Sequence, residues 1–490
     1  SVISSSFNAF EPSLDRRLSA ARQAQVSWSS TPVRHRLKRV KAFRKLLAER
    51  ALSLATSFDL PERKDRAETL VAEILPLAEA CRFLERRSFG ILRPQVSGGL
   101  RSVLPGGVAI RIERAPWGLV LVICAGNYPL FLPGVQALQT LVAGNAVVLK
   151  PAPGTTAAVH SLRKLFVDAG FDSRLIVLLD ESPDSASRVI ESGVDKVLFT
   201  GSSRTGEQVL TQLARHLTPA ILELSGCDAV FVHPEADLDL VADALEFGLR
   251  FNSSATCIAP RRVFLDRSGA RELEQRLEGR LANFEPSHLS EDRSRLMNRL
   301  VEMAIQSGAR RVGHSSESHL EGGPVILADV RPEMEVAQTD LFAPLVSIIE
   351  AASFEEALSL DALCPYSLGA SVFGPRRKAE KWAREIEAGV VVINDLIVPT
   401  ADPRIPFGGR NKSGFGVTRG ADGLLALTRP RVQVHRRGRW RPHFERLESG
   451  DEVLFSELIQ ARHAATWRQR LRGWMGFSRA ARERARQVGK

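Results

Sequence analysis

Cys257 and Glu223 are the residues of this sequence best suited to do chemistry. Cys257 lies in FNSSATCIAP, where small and polar neighbours leave the sulfur reachable, and a reachable thiolate is a nucleophile. Glu223 ends an apolar run, where burial raises the pKa of a carboxylate toward the range that a base working near neutral pH needs. Each residue also has a structural interpretation, because a lone cysteine is usually a passive core residue and a buried glutamate is often salt-bridged.

A phosphate site is the second candidate. The segment KVLFTGSSRTGEQVL puts Gly201, Ser202 and Gly206 between a strand and the start of a helix, where free backbone N–H groups favour an anion. The G-x-G-x-x-G pattern of the common dinucleotide fold is absent, and an ordinary tight turn would use the same glycines. On these residues alone, the phosphate site and the turn are equally good interpretations.

The elements that must position these residues alternate along the chain. Residues 12–90 have apolar positions at helical spacing and are predicted to form amphipathic helices. The 35 residues from Ala115 to Leu149 carry no charge, but turn residues divide them into strand, helix and strand rather than one membrane span. Strands and helices then alternate to Glu223, and a second α/β region follows to about Arg410. The alternation predicts an α/β fold with a parallel sheet.

Composition excludes several classes of protein. A chain of 490 residues needs at least two packed domains, and 25% charged residues is typical of globular proteins. Five scattered cysteines without a C-x-x-C pair argue against a disulfide framework or a structural zinc site. The net charge of +11 is mostly in the tail, where residues 436–490 carry 14 Lys and Arg against 6 Asp and Glu. The body is nearly neutral, so we expect no nucleic-acid surface.

Three segments in combination resemble the aldehyde dehydrogenase superfamily. They are NYP at 127–129, LELSG at 222–226 and FNSSATC at 251–257. Their order and the 34 positions between Glu223 and Cys257 match that family, and the similarity extends from the N-terminal helices to about residue 435. Details such as TCIAP and NDLIVP resemble its class 3 and fatty aldehyde dehydrogenase branch.

The resemblance implies oxidation of an aldehyde through a covalent adduct. The Cys257 thiolate would add to the carbonyl carbon, and the Asn127 side chain with the Cys257 N–H would hold the oxyanion. Glu223 would activate the water that cleaves the thioester. Relatives that pass the acyl group to coenzyme A generally lack this glutamate, so we expect a carboxylic acid as product.

The resemblance also implies NAD or NADP as cofactor and no metal. The residues matching cofactor positions are Lys150, Gly201, Ser202, Gly206, Asp340, Phe342 and Phe407. Lys150 matches the lysine at the adenosine ribose, and Asp340 is one methylene shorter than the family's glutamate at the nicotinamide ribose. Where many NAD-preferring relatives carry an acid after K-P-x, this chain has Pro153, which removes a repulsion of the 2′-phosphate and makes NADP a candidate.

Other departures from the family surround the expected catalytic centre. They are Gly126 before the asparagine, Ser225-Gly226-Cys227 after the glutamate, and Ser254-Ala255 before the cysteine. All of them remove bulk, which predicts either a wider pocket or altered surroundings of the thiol.

The resemblance implies a Rossmann-type cofactor domain, a catalytic α/β domain and a small strand arm for oligomerisation. We expect the cofactor domain at 1–224 with the arm at about 101–114, the catalytic domain at 225–410, a return to the first domain at 411–435, and a basic amphipathic tail at 436–490. By analogy with the family, we expect a homodimer.

The tail has one apolar face. Trp467, Leu471, Trp474 and Phe477 recur at helical spacing with arginines around them, which suits an anionic membrane surface at residues 464–479. A helix packed on a partner subunit and a mostly disordered tail are the alternatives. The N-terminus lacks the order of a secretory signal, so we expect a cytoplasmic protein, peripheral at a membrane if the first interpretation holds.

The sequence as a whole predicts NAD(P)-dependent oxidation of an apolar aldehyde, long-chain or aromatic, to its carboxylic acid. Two alternatives stay open. One is a family member that binds nicotinamide and aldehyde without turnover, because of the altered residues, and the other is an acyl-transferring aldehyde reductase.

Overall fold

The structure is a computed structural model that describes residues 13–61, 63, 65–99, 108–281, 284–313, 323–436 and 441–488. The helices are α1 (Leu14–Ser30), α2 (Val33–Glu49), α3 (Ala51–Ala55), α4 (Arg66–Thr69), α5 (Leu75–Leu92), α6 (Phe131–Val142), α7 (Thr156–Asp168), α8 (Pro183–Glu191), α9 (Ser203–Ala214), α10 (Leu238–Arg250), α11 (Arg267–Leu281), α12 (Glu291–Gln306), α13 (Phe354–Asp361), α14 (Arg376–Ala383), α15 (Gly420–Ala426), α16 (Asp451–His463) and α17 (Trp467–Val488).

The strands are β1 (Gln95–Gly99), β2 (Val108–Pro116), β3 (Leu119–Ile123), β4 (Ala146–Lys150), β5 (Ile176–Leu178), β6 (Lys196–Thr200), β7 (Ala220–Glu223), β8 (Asp228–Val232), β9 (Pro260–Leu265), β10 (Arg310–Arg311), β11 (Val325–Ala328), β12 (Leu345–Glu350), β13 (Tyr366–Ser367), β14 (Gly369–Phe373), β15 (Val390–Ile393), β16 (Arg410–Asn411), β17 (Gly414–Phe415) and β18 (Thr428–Arg436).

The first large sheet has the order β17-β7-β6-β3-β4-β5. Its pairs are parallel, except that β17 runs antiparallel to β7. Every residue of β3 and β4 is buried, and α6 between them is buried around almost its whole circumference. The charge-free run is therefore the centre of a core, because strands covered on both faces are apolar throughout. The parallel strands bring their carboxyl ends to one edge, where α/β proteins bind ligands.

The second large sheet has the order β10-β11-β12-β9-β8-β14-β15. It is parallel apart from the antiparallel pair of β10 and β11. β8, β9 and β14 are buried throughout, which makes them the centre of a second core. Two parallel sheets with covering helices confirm the predicted α/β class.

The chain divides into two compact units, Ser1–Pro94 with Ile112–Arg431 and Gln95–Arg111 with Val432–Lys490. The first unit contains both large sheets. β1, β2 and β18 form a separate three-stranded sheet. The strand arm predicted at about 101–114 is a strand from Val108 onward, and residues 101–107 lie outside the described residues.

Two helices of the second unit, α16 and α17, pack against each other. Gly473 of α17 permits the contact, because an added Cβ would lie 2.4 Å from the backbone nitrogen of Ala461 on α16. Arg484 forms an ion pair with Asp451 at the start of α16. The tail is thus helical over 451–463 and 467–488, so the alternative of a mostly disordered tail is wrong.

Three of the four apolar residues predicted to share one face of the tail are exposed within this unit. Trp467, Leu471 and Trp474 are 68%, 53% and 45% exposed, whereas Phe477 is only partly exposed. At about 100° per residue, the three exposed residues lie roughly 100–160° around α17 from Gly473, and Phe477 lies about 40° from it, nearer to α16. Among the residues that the structure describes, no helix is both long and apolar enough to cross a bilayer.

Candidate active site

A cavity of about 480 Å³ lies at the carboxyl edge of the first sheet. Its wall includes residues that follow β3, β6 and β7, and residues of the loop before β9. The structure brings Cys257, Glu223 and Asn127 together on this wall, although they come from three different connections.

The loop before Cys257 has an unusual backbone. Asn252, Ser253 and Ser254 have φ angles of 53°, 50° and 58°, and all three residues are buried. A left-handed conformation costs an L-residue roughly 1–2 kcal/mol. Three in succession persist only where the surroundings hold them, and such strain is often found at functional sites.

Two buried arginines hold this loop. Arg63 donates from Nε to Asn252 Oδ1 at 3.0 Å. Arg261 donates to the carbonyl oxygen of Ser254 at 2.6 Å and to its Oγ at 2.8 Å. The backbone N–H of Asn252 donates to the Glu68 carboxylate. Both ends of the left-handed stretch are therefore fixed by charged groups.

The loop after β3 is tied to the same stretch. Asn127 donates from Nδ2 to the carbonyl oxygen of Ala255 at 3.0 Å, and the hydroxyls of Tyr128 and Thr256 lie 2.6 Å apart. One N–H of the Asn127 amide is thus anchored, which leaves its second N–H for a substrate oxygen. Arg63 also donates to the Asn127 carbonyl at 2.9 Å, so a single arginine contacts both loops.

Arg63 is balanced by Glu73, which is fully buried. Their Nη2 and Oε1 atoms are 2.7 Å apart, and Glu73 Oε2 accepts from the backbone N–H groups of Leu130 and Phe131. Glu73 lies in a π-helical turn at Leu70–Ile74, a feature frequent at functional sites. The pair connects the N-terminal helices to the start of α6 and to both active-site loops.

Burial raises the pKa of the half-buried Cys257 thiol. Asp228, Glu223 and Asp340 raise the pKa further, and Arg419 lowers it. Opposite charges nearby favour a thiolate and like charges disfavour it. Burial and the three carboxylates therefore favour the thiol, and Arg419 favours the thiolate.

Glu223 ends β7 at 4% exposure. Burial raises the pKa of its carboxyl group, while Arg419 and a hydrogen bond from the Thr418 hydroxyl lower it. A carboxylate with a raised pKa suits a general base near neutral pH.

Arg419 is a residue of the site that the sequence analysis missed. It lines the cavity, its Nη1 donates to the Thr400 carbonyl at 2.8 Å, and its guanidinium carbon lies 4.3 Å from the Phe407 ring centre. It favours the charged forms of both Glu223 and Cys257. No sequence pattern marks it, because a lone arginine in VTRG is usually a surface residue.

The expected cofactor residues separate into two groups. Gly201, Ser202, Phe342 and Phe407 line the cavity, whereas Lys150, Gly206 and Asp340 lie outside its described wall. Gly206 packs on Leu224, since an added Cβ would lie 2.7 Å from a Leu224 methyl carbon. Burial raises the pKa of Asp340 to about 6, with Arg261 opposing.

The start of α9 is a ready anion site. Ser202 is the N-cap, and its Oγ accepts from the Thr205 N–H at 3.2 Å. Among the described residues, the N–H groups of Ser203 and Arg204 have no hydrogen-bond acceptor, as expected in a first helical turn. These donors fit a phosphate.

The residues that differ from the family pattern lie in different parts of the site. Gly126 and Ser225 line the cavity, whereas Ser254 is fully buried beneath Arg261. Gly226 permits a close approach to the nucleophile loop, since an added Cβ would lie 2.3 Å from the Cys257 carbonyl oxygen. Within the described ranges, no group of three or more His, Cys, Asp or Glu side chains could hold a metal ion.

Comparison with known proteins matches the chain to one enzyme family. The family model described as "Aldehyde dehydrogenase family" matches residues 2–432. The 4,4′-diapolycopene aldehyde oxidase of a Methylomonas species is 29% identical, covering 96% of this chain and 93% of that protein. Aldehyde dehydrogenase family 3 member A2 of Macaca fascicularis is 26% identical, covering 83% and 85%.

Solved structures share the fold. The aldehyde dehydrogenase of Mycobacterium tuberculosis, crystallised with NAD+, superposes with a TM-score of 0.80 at 25% identity. The match covers 87% of this chain and 91% of that one.

Proposed function

The chain belongs to the aldehyde dehydrogenase family, and we propose that it oxidises an apolar aldehyde, long-chain or aromatic, to its carboxylic acid. It is an oxidoreductase that uses NAD or NADP. The observation that carries the proposal is that Cys257, Glu223 and Asn127 line one cavity.

The chain's own residues fit the cofactor. The free N–H groups at the start of α9 suit a phosphate, and Phe342 and Phe407 offer aromatic surfaces in the cavity wall. Bound NAD or NADP supplies the acceptor for the aldehyde hydride. Lys150, at the end of β4, is assigned to the adenosine ribose and Asp340 to the nicotinamide ribose.

In the first half of the reaction, the Cys257 thiol loses its proton to solvent, its sulfur bonds to the carbonyl carbon, and the carbonyl oxygen becomes an oxyanion. The second N–H of Asn127 and the Cys257 N–H donate to this oxygen, and loss of one such donor typically costs about 100- to 1,000-fold in rate. Collapse of the adduct expels a hydride from the former aldehyde carbon and leaves an acyl thioester on Cys257.

In the second half, Glu223 takes a proton from water, which attacks the thioester carbon. The carbon–sulfur bond breaks, the acid leaves, and Cys257 returns as a thiolate. Arg419 stabilises both the Glu223 carboxylate and the returning thiolate, because it interacts with both.

An apolar substrate is favoured by the cavity wall. Val71, Leu132, Phe251 and Val398 contribute to it, and Val71 and Val398 are more than half exposed, as residues at a rim would be. Burial of an alkyl chain there is worth about 0.8 kcal/mol per methylene. A relative named for the aldehyde of 4,4′-diapolycopene favours the same substrate class. A relative from family 3 favours the class 3 branch.

A panel of short, aromatic and long-chain aldehydes with NAD or NADP tests the proposal, followed through reduced nicotinamide. Turnover that grows with apolar length and vanishes in Cys257→Ala is the expected result. Cys364→Ala, at a buried cysteine outside the described cavity wall, is the matched control. Turnover only with coenzyme A would indicate the acyl-transferring reductase, and nucleotide binding without turnover would indicate the binding protein.

We also propose the division into a cofactor domain (1–224 with 411–435) and a catalytic domain (225–410). Strands of the first sheet lie in 119–223 and 414–415, and those of the second in 228–393, which supports this boundary. A homodimer is proposed with it, because Val432 and Val434 are exposed on one face of the edge strand β18. Light scattering of the intact protein tests the dimer.

The tail is proposed to bind an anionic membrane surface. Trp467, Leu471 and Trp474 are exposed together on α17, with Arg468, Arg470 and Arg472 between them. The intact protein should sediment with anionic vesicles at low salt, and Trp467→Ser/Trp474→Ser should remain in the supernatant. Failure of the intact protein to sediment would leave the partner-subunit interpretation.

A further inference from the structure

A carboxylate from the loop after β5 reaches the start of α7, beside Pro153. Glu181 Oε2 accepts from the Gly154 N–H at 2.9 Å and from the Thr156 hydroxyl at 3.0 Å. Pro153 and Gly154 both line the cavity. Glu181 is exposed, and its Oε1 has no hydrogen-bond partner in the described part of the chain. One oxygen therefore anchors the side chain and the other stays available.

Glu181 and its neighbour Asp180 place two negative charges near the ammonium group of Lys150. Asp180 and Glu181 both raise the pKa of Lys150, against the lowering by burial. Asp180 is held at the start of α8, because its Oδ1 accepts from the Ser182 N–H at 3.0 Å and from the Ser185 hydroxyl. In the described part of the chain, Glu181 is the one of the two carboxylates that is hydrogen-bonded to Gly154 in the cavity wall.

We propose that Glu181 makes this protein selective for NAD, by accepting a hydrogen bond from the adenosine ribose and by repelling the 2′-phosphate of NADP. An acidic residue at the ribose is the general device for NAD selection in dinucleotide-binding folds. Here the acid comes from the β5–α8 loop, so the absence of an acid at Pro153 does not open the site to NADP. The inference rests on the proposed function, in which the adenosine ribose lies at Lys150.

Dissociation constants of NADH and NADPH, measured by nicotinamide fluorescence, test the proposal without turnover. Wild type should bind NADH about tenfold tighter or more, the factor expected for one charge-assisted hydrogen bond. Glu181→Gln should weaken the binding of NADH and strengthen the binding of NADPH, so that the ratio of their dissociation constants falls about tenfold. The amide oxygen can still accept from Gly154, which keeps the loop anchored. Glu191→Gln removes the same charge at the far end of α8 and should leave the ratio unchanged.

A salt series on wild type and Glu181→Gln is the second measurement. Repulsion of the 2′-phosphate is screened at high ionic strength. For wild type, the dissociation constants of NADPH and NADH should therefore become more similar as the salt concentration rises. For Glu181→Gln, the ratio of the two constants should change less. A wild type that binds NADPH as tightly as NADH, or a ratio that Glu181→Gln leaves unchanged, overturns the inference while the proposed function stands. Binding of neither nucleotide overturns the proposed function and the inference with it.

Discussion

Replacement of Arg63 by methionine tests whether the active-site loops are positioned by a buried charge. Arg63 contacts Asn252, the Asn127 carbonyl and Glu73, at 3.0, 2.9 and 2.7 Å. The change leaves a fully buried Glu73 carboxylate without its counter-ion and removes the support of a backbone held at positive φ. It should therefore lower both stability and turnover.

The size of the two effects differs. Removing one partner of a buried ion pair costs about 3–5 kcal/mol. At about 2.1 cal/mol/K per residue, a 490-residue chain loses only about 3–5 °C in midpoint for that cost. A displacement of about 1 Å in the catalytic geometry costs on the order of 100-fold in rate. We expect kcat to fall about 100-fold at 25 °C, where the protein is still folded, with KM nearly unchanged.

Thermal unfolding and steady-state kinetics on one aldehyde provide the assay. Arg36→Met is the matched control, because Arg36 is also buried and donates to the Val142 carbonyl at 2.6 Å without touching the cavity. It should destabilise without lowering kcat. Glu73→Gln added to Arg63→Met should recover stability but not kcat. Equal kcat for Arg63→Met and wild type would refute the positioning role.

Three further predictions concern the same site. Arg419→Met should raise the pKa of Cys257 and slow its alkylation by iodoacetamide at pH 8, since a favourable positive charge is lost; an unchanged rate would exclude the charge effect. Because burial raises the pKa of Glu223, the acid limb of the kcat–pH profile should lie above pH 4.5, the ordinary pKa of a glutamate. Arg419→Met should move this limb to higher pH, because Arg419 lowers the pKa of Glu223. A limb at or below pH 4.5 would contradict the assignment of Glu223 as the base. Gly226→Ala should lower kcat and cost about 1–3 kcal/mol, because its Cβ would meet the Cys257 carbonyl; Gly90→Ala, with open space around it, should be neutral or stabilising.

Local patterns predicted the elements and the residues on their ends. The alternation of apolar runs, helical spacing and turn residues predicted the α/β fold, because such periodicity reflects which side of each element is buried. Cys257, Glu223 and Asn127 were identifiable because each lies in a motif whose order resembles the family. These short-range signals were sufficient to predict the family and the fold, and the comparisons confirm both.

The supporting charges were not predictable in the same way. Arg63 and Asn252 are 189 positions apart, and Arg261 and Arg419 are charged residues that a sequence pattern assigns to the surface. Only the assembled fold shows that they are buried against the site. The proposed role of Glu181 was equally unpredictable from the sequence, because it depends on the loop after β5 meeting the loop after β4.

A buried hydrogen-bond network also couples the loop after β3 to the loop before Cys257. Asn252 Nδ2 donates to the Ala255 carbonyl at 3.0 Å and to the Asn127 carbonyl at 3.3 Å, while Asn127 Nδ2 donates to the same Ala255 oxygen. Asn127, the proposed oxyanion donor, and the loop before Cys257 are thus bonded directly to each other as well as to the scaffold. A small shift of the scaffold would carry both loops and preserve their mutual geometry. Loss of Asn252 should separate them, so Asn252→Ala should lower kcat more than loss of either scaffold contact alone.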